Sequence, residues 1–123
     1  MKIILVVDDD AHLLALLRVV LEAEGYRVLV ALDGEMAVSV ATAEHPDLIV
    51  TDWMMPVLDG VAFCRRLKAN TATARIPVVM FTAGLPPPQT EALWNALLRK
   101  PESTARLVEV IHDLLSLSGG ITR

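Results

Sequence analysis

The stretch IVTDWMMPVLDG, residues 49–60, decides how this chain is read. A short apolar, β-branched run ends on Asp52, and bulky apolar residues, Pro56 and the Asp59-Gly60 pair follow. A run of that length bounded by turn residues reads as a buried strand. The strand delivers a carboxylate to its end, and the chain then turns. Asp52 either caps the next helix and does nothing more, or it is a reactive group at the rim of a sheet.

Working outward, short apolar runs alternate with helical periodicity. IILVV (3–7) reads as a strand, and the next helix places Leu13, Leu14, Leu17, Val20 and Leu21 on one face, with Gly25 at its C-terminus. YRVLVA is a second strand, Asp33-Gly34 a turn, and EMAVSVATAEH a helix stopped at His45-Pro46. DLIVT is the third strand, followed by the helix GVAFCRRLKAN. IPVVMFT, the ALLR run at 96–99 and STARLVEVIHDLLSL complete the series as strand, strand and helix. Between 83 and 95, three successive prolines bar a helix interior, but Pro88 can open a short helix of roughly two turns. Alternation of this kind predicts an α/β fold, a parallel sheet with helices on both faces. Ligands of such sheets bind beyond the carboxyl ends of the strands, where strand order reverses.

The bulk properties agree. A chain of 123 residues makes one domain, and 54% hydrophobic with 4% aromatic residues implies an aliphatic core. Net charge is −4 and the basic residues do not cluster, so this domain is not expected to bind nucleic acid directly. The single cysteine, Cys64, excludes an internal disulfide and suits a cytoplasmic setting. No apolar run is long enough for a membrane helix, and MKIILVVDDD meets acids too soon for a signal peptide. The expected domain covers 1–118, with 119–123 a flexible tail.

Polar groups collect at the strand ends: Asp8, Asp9 and Asp10 after the first, Asp52 after the third, Thr82 after the fourth, Lys100 after the fifth. Carboxylates packed together repel, and a divalent cation relieves them. An oxygen-only ligand set without His or Cys favours Mg²⁺. Such a cation neutralises charge on an incoming phosphoryl group, Lys100 adds a flexible positive charge, and Thr82 offers a hydroxyl. With no Ser-His or Cys-His arrangement visible, a carboxylate is the nucleophile left, and its attack on phosphorus gives an acyl phosphate.

The motifs ILVVDDD, ALDG, DLIVTDWMMPVLDG, VVMFTA and RKP, in this order and spacing, resemble a response-regulator receiver domain, the kind phosphorylated by sensor histidine kinases. The resemblance covers nearly the whole chain. It implies a doubly wound, flavodoxin-like, three-layer α/β/α fold with five parallel strands in the order 2-1-3-4-5. It implies Asp52 as phosphoacceptor, Asp8 and Asp9 as Mg²⁺ ligands together with Asp52 and the Met54 carbonyl, and Thr82 and Lys100 as contacts of the phosphoryl group. Activity would be limited to self-phosphorylation and self-dephosphorylation. Partners would be a histidine kinase or phosphotransfer protein, and a downstream protein target or a second copy.

Other assignments are plainer. Asp10 and Asp59 read as helix N-caps. Cys64 reads as buried and inert, Arg99 as a solvated charge, and His12, His45 and His112 as surface residues. Trp53 is either a specificity element or a ring at a cleft rim. Where the family carries an aromatic switch residue in the fifth strand, this chain has Leu97, so the switch is expected to move the 83–88 loop. Leu93, Trp94 and Leu97 are candidates for an apolar partner surface. A plain binding module, a pseudo-receiver without phosphotransfer, is disfavoured by the intact acidic, hydroxyl and amine set, while a non-switching pseudo-receiver or phosphate sink stays an alternative. A flavin site would need a phosphate-binding loop where DDDAHL stands, and an Asp-based phosphatase would need an acid where Trp53 and Met54 stand. A receiver excised from a longer regulator with a DNA-binding or enzymatic output is compatible with everything above.

Overall fold

The computed structural model describes residues 1–84, 86, 93–100 and 104–120, with side chains described as far as 116. Among the described residues, the five strands β1 (Ile3–Val7), β2 (Arg27–Ala31), β3 (Leu48–Thr51), β4 (Val78–Thr82) and β5 (Ala96–Arg99) and the helices α1 (Ala11–Ala23), α2 (Gly34–Glu44), α3 (Gly60–Ala69) and α4 (Thr104–Gly120) follow in the order β1-α1-β2-α2-β3-α3-β4-β5-α4. All pairings are parallel and the strand order is β2-β1-β3-β4-β5, as expected. The order reverses at β1, whose flanks are β2 and β3, so the carboxyl ends of β1 and β3 open onto one crevice.

The central strands are buried along their whole length, and apolar up to a closing threonine, because both faces are covered. Ile4, Val6, Val79, Phe81 and Leu98 pack with Leu14, Leu17 and Leu21 of α1 and Leu107, Ile111 and Leu115 of α4. The alternate residues Leu5, Val7, Ile49, Val78 and Met80 pack with Ala37 and Ala41 of α2 and Phe63, Cys64 and Leu67 of α3. Period-two alternation along the strands thus sorts residues between two helix layers.

Three aspartates start three helices. Asp10 accepts from the His12 and Leu13 amides, Asp33 from Met36 and Asp59 from Ala62. Asp33-Gly34, read as a turn, is thus the cap and first residue of α2. α2 closes on His45 in the left-handed region, φ 49°.

The segment after β4 departs from expectation. The helix expected from Pro88 to Asn95 is absent at residues 93–95, which are irregular, while 88–92 fall outside the described residues. Asn95 instead extends the β4 edge: its amide donates to Val78 O at 2.8 Å and its side chain accepts from Val78 N at 2.9 Å. That pairing ties the chain to the β4 edge one residue before β5. Leu93, expected on a partner surface, is 2% exposed and belongs to the core beside α3. At the C-terminus α4 runs to Gly120, past the expected start of the tail at 119, and 121–123 lie outside the described residues.

A candidate phosphoacceptor site at the strand ends

The ladder of β1 with β3 brings Val7 beside Thr51, so the residues that follow, Asp8 and Asp52, leave neighbouring strands side by side. The Asp52 amide donates to Val7 O at 3.0 Å, and the Asp8 amide to Ala31 O at 3.1 Å, so both backbones stay tied to the sheet edge. Asp8 and Asp52 are 3% and 8% exposed, while Asp9 points to solvent. A carboxylate oxygen from each of the three lies within 4.8 Å of the others.

Lys100 reaches this cluster from the end of β5. Its amide donates to Thr82 O at 2.9 Å, continuing the β4–β5 ladder by one residue. Its Nζ lies 2.8 Å from Asp8 Oδ2 and 3.6 Å from Asp52 Oδ2. It also sits over the Phe81 ring, 5.7 Å from the centroid. Burial pushes the Asp8 carboxyl above its ordinary value, an effect the Lys100 ammonium and the Asp10 amide offset only in part. For Lys100, burial acts downward, but the hydrogen bond and charge of Asp8, with Asp52 behind it, hold the ammonium above its ordinary range. The lysine is therefore a charged counter-ion to Asp8, whose ionised form burial disfavours.

Asp52 is oriented by its own loop, since Oδ1 accepts from the Trp53 amide at 2.8 Å. The loop closes where the Gly60 amide donates to Trp53 O at 2.8 Å. Inside it, Leu58 N donates to Pro56 O at 2.8 Å, and Val57 adopts φ 71°. That is a three-residue turn, rare for a β-branched residue. Gly60 is required by close approach, because a Cβ there would stand 2.1 Å from Asp52 O. On the other side, the fully buried Thr82 hydroxyl accepts from the Gly84 amide at 3.2 Å. The Trp53 ring lies across that glycine, where an added Cβ would meet it at 2.9 Å. Trp53, Met54, Met55 and Asp59 line a shallow recess of about 380 Å³ beside the site.

The expected set of Asp8, Asp9, Asp52, Thr82 and Lys100 is thus gathered at one sheet edge, and Asp10 and Asp59 turn away into their helix caps. Sequence reading missed Phe81 beneath the ammonium, the left-handed Val57 and the Gly60 contact. Strand alternation placed Phe81 in the core, but nothing local showed that Lys100 would fold back over it. His12, His45 and His112 are exposed, and none belongs to the acidic cluster. Cys64 is fully buried, and burial pushes its thiol up to about 12.

The donor set fits a hard divalent cation: three carboxylates converge, with no nitrogen or sulfur donor among them. Burial of Asp8 gives the site a reason to take a positive charge. Among the described residues, no helix is long and apolar enough to cross a membrane.

Known proteins share this arrangement. Residues 4–112 match the family model described as the response regulator receiver domain. The chain is 43% identical over 82 residues to the phosphate regulon regulatory protein PhoB of Pseudomonas aeruginosa, covering 67% of this chain and 36% of PhoB. It is 48% identical over 80 residues to the response regulator PleD of Caulobacter vibrioides, covering 65% of this chain and 18% of PleD. It therefore spans about a third or less of these relatives. Among solved structures, the receiver domain of the Pseudomonas aeruginosa sensor kinase PA1611, which has a magnesium ion in its active-site cleft, superposes with a TM-score of 0.84 at 30% identity, covering 94% of this chain and 98% of that one. Vibrio cholerae CheY4 gives 0.84 at 26% identity, covering 92% and 98%.

Proposed function

This chain belongs to the response-regulator receiver family, and on that premise we propose that Asp52 is its phosphoacceptor, loaded by a partner histidine kinase or phosphotransfer protein. The observation that carries the reading is the placement of Asp52: buried at the end of β3, oriented by the Trp53 amide, and 3.6 Å from the Lys100 ammonium.

A carboxylate oxygen of Asp52 attacks the phosphorus of a phosphohistidine. The P–O bond forms as the P–N bond breaks, the donor imidazole leaves and takes up a proton, and the product is an aspartyl phosphate. Lys100 turns from Asp8 toward a phosphoryl oxygen. The Thr82 hydroxyl, which accepts from Gly84, turns to donate to another. Asp8, Asp9, Asp52 and the Met54 carbonyl would hold Mg²⁺. When bound, the ion supplies charge neutralisation at the transferring group. The chain's own catalysis is confined to accepting and losing this group. Release of the Gly84 amide by Thr82 then shifts residues 83–84 beneath the Trp53 ring, biasing the loop after β4 toward a second state that a downstream protein or a second copy reads. The receiver extends to the end of α4 at Gly120, and the setting is the cytoplasm.

The test is incubation with acetyl phosphate and Mg²⁺, followed by intact mass. One added phosphoryl group is expected on the native chain and none on Asp52→Asn. A gain that survives Asp52→Asn overturns the assignment. Amide exchange with and without beryllofluoride tests the switch, with reduced or altered protection expected around residues 82–84 rather than within β5.

A further inference from the structure

Lys100 has two carboxylate partners, and both are committed elsewhere in the reaction. Asp8 Oδ2, at 2.8 Å, belongs to the group that would hold the cation, and Asp52 Oδ2, at 3.6 Å, belongs to the nucleophile. A lysine stem has four rotatable carbon–carbon bonds and loses much of its direction once its ion pairs are exchanged. A fixed group beside the ammonium would narrow its directions as it turns to the phosphoryl oxygens.

The Phe81 ring is placed to do so. Phe81 immediately precedes Thr82, and β4 pairs Phe81 with Leu98 and Thr82 with Arg99. The Lys100 amide then bonds Thr82 O, which fixes the lysine backbone relative to the ring. The ring is 4% exposed and packed with the α1 and α4 layer, so it does not move with the site. The ammonium lies 5.7 Å from its centroid, inside the distance at which a ring face attracts a cation. The lysine side chain is 23% exposed, which leaves this attraction partly shielded from water. A leucine would fill the same core position with no attraction for the charge.

We propose that Phe81 is a positioning residue for phosphoryl transfer: its ring face holds the Lys100 ammonium at the site when Asp8 and Asp52 exchange it for their other partners. The inference rests on Asp52 being the phosphoacceptor. The anchor is neutral and does not compete for the cation.

The test replaces Phe81 with mono-, di- and trifluorophenylalanine, which keep the ring's shape while withdrawing charge from its face. The rate of phosphorylation by acetyl phosphate is measured against donor concentration, with the melting temperature alongside. The maximal rate is expected to fall stepwise with fluorination, to about three- to tenfold below the native chain, with the melting temperature held. A flat series, in a native chain that is phosphorylated, overturns the role of Phe81 and leaves Asp52 standing; a native chain that takes up no phosphoryl group overturns the reading of Asp52. A second measurement needs no transfer. In lysine-labelled protein carrying beryllofluoride, the Lys100 ε-protons should be shifted upfield by the ring, and lose that shift in Phe81→Leu. Absence of the shift in the native chain also overturns the proposal.

Discussion

Asp8 and Cys64 show how burial changes the chemistry of single residues. Asp8 keeps a counter-ion, Lys100, at 2.8 Å, whereas Cys64 has no acidic or basic neighbour strong enough to offset its burial. Its thiol is pushed from 9.0 to about 12, so it is neutral, protonated and a poor nucleophile. The sign of the linkage follows. The folded pKa lies above the unfolded one, so the contribution to stability is whole below pH 9 and is lost as pH rises toward 12. Each pH unit in that window removes about 1.4 kcal/mol. Unfolding free energy should therefore fall more steeply between pH 9.5 and about 11 in the native chain than in Cys64→Ala, a difference denaturant titrations at a series of pH values would read. Equal slopes would show the thiol to be ionisable in place. Val57 is strained in a different currency, its backbone. At φ 71° it is a β-branched residue in a region that costs on the order of 1–3 kcal/mol. The turn it makes sets the path of the loop that orients Asp52.

At the scale of elements, one residue type serves two ends of the same connection. An aspartate closing a strand faces the crevice; one opening a helix satisfies free amides. DDD at 8–10 contains both, with Asp8 buried and Asp10 capping α1. The start of α3 is the tightest joint. Gly60 lets the helix press on the backbone of the acceptor residue, and a Cβ there would lie 2.1 Å from Asp52 O and 2.9 Å from Trp53 Cα. Neither atom belongs to a flexible side chain, so backbone must move. Gly60→Ala is expected to cost about 1–3 kcal/mol, read as a lower urea midpoint, and to slow phosphorylation by acetyl phosphate as Asp52 is displaced. An unchanged midpoint would mean that the α3 start yields freely. The connection from β4 to β5 behaves oppositely. The Asn95 bonds to Val78 tie the chain to the β4 edge, and residues 93–95 are irregular where a helix was expected. Leu93 is consequently core, and of the three residues expected on a partner surface Leu97, 37% exposed, is the most accessible.

Across the whole molecule, the site is where the fold gives up stability. Three carboxylates stand at the carboxyl edge of the sheet, two of them buried, with one lysine to balance them. A cation that binds the folded state alone stabilises it by mass action, about 2.7 kcal/mol at a hundredfold excess over its dissociation constant. For a domain of 123 residues that corresponds to a melting temperature higher by about 10 °C. Mg²⁺ should produce a rise of that order in the native chain and little or none in Asp9→Asn, followed by thermal scanning; Trp53, next to Asp52, should report the same titration by fluorescence. An equal rise in both proteins would place the ion elsewhere.

The sequence by itself determined the order and type of the strands and of the helices α1 to α4. Their periodicities are local, and Asp10, Asp59 and Gly25 mark their ends with side-chain or backbone chemistry that acts within a few residues. It also brought Asp8, Asp9, Asp52, Thr82 and Lys100 into one hypothesis, because a parallel sheet puts all its strand ends at one edge. Tertiary structure alone decided what depends on contacts between residues distant in the chain. These are the sharing of Lys100 between Asp8 and Asp52, the ring of Phe81 beneath it, the Trp53 ring across Gly84, and the burial of Leu93. Each follows from packing between elements that local propensity does not encode.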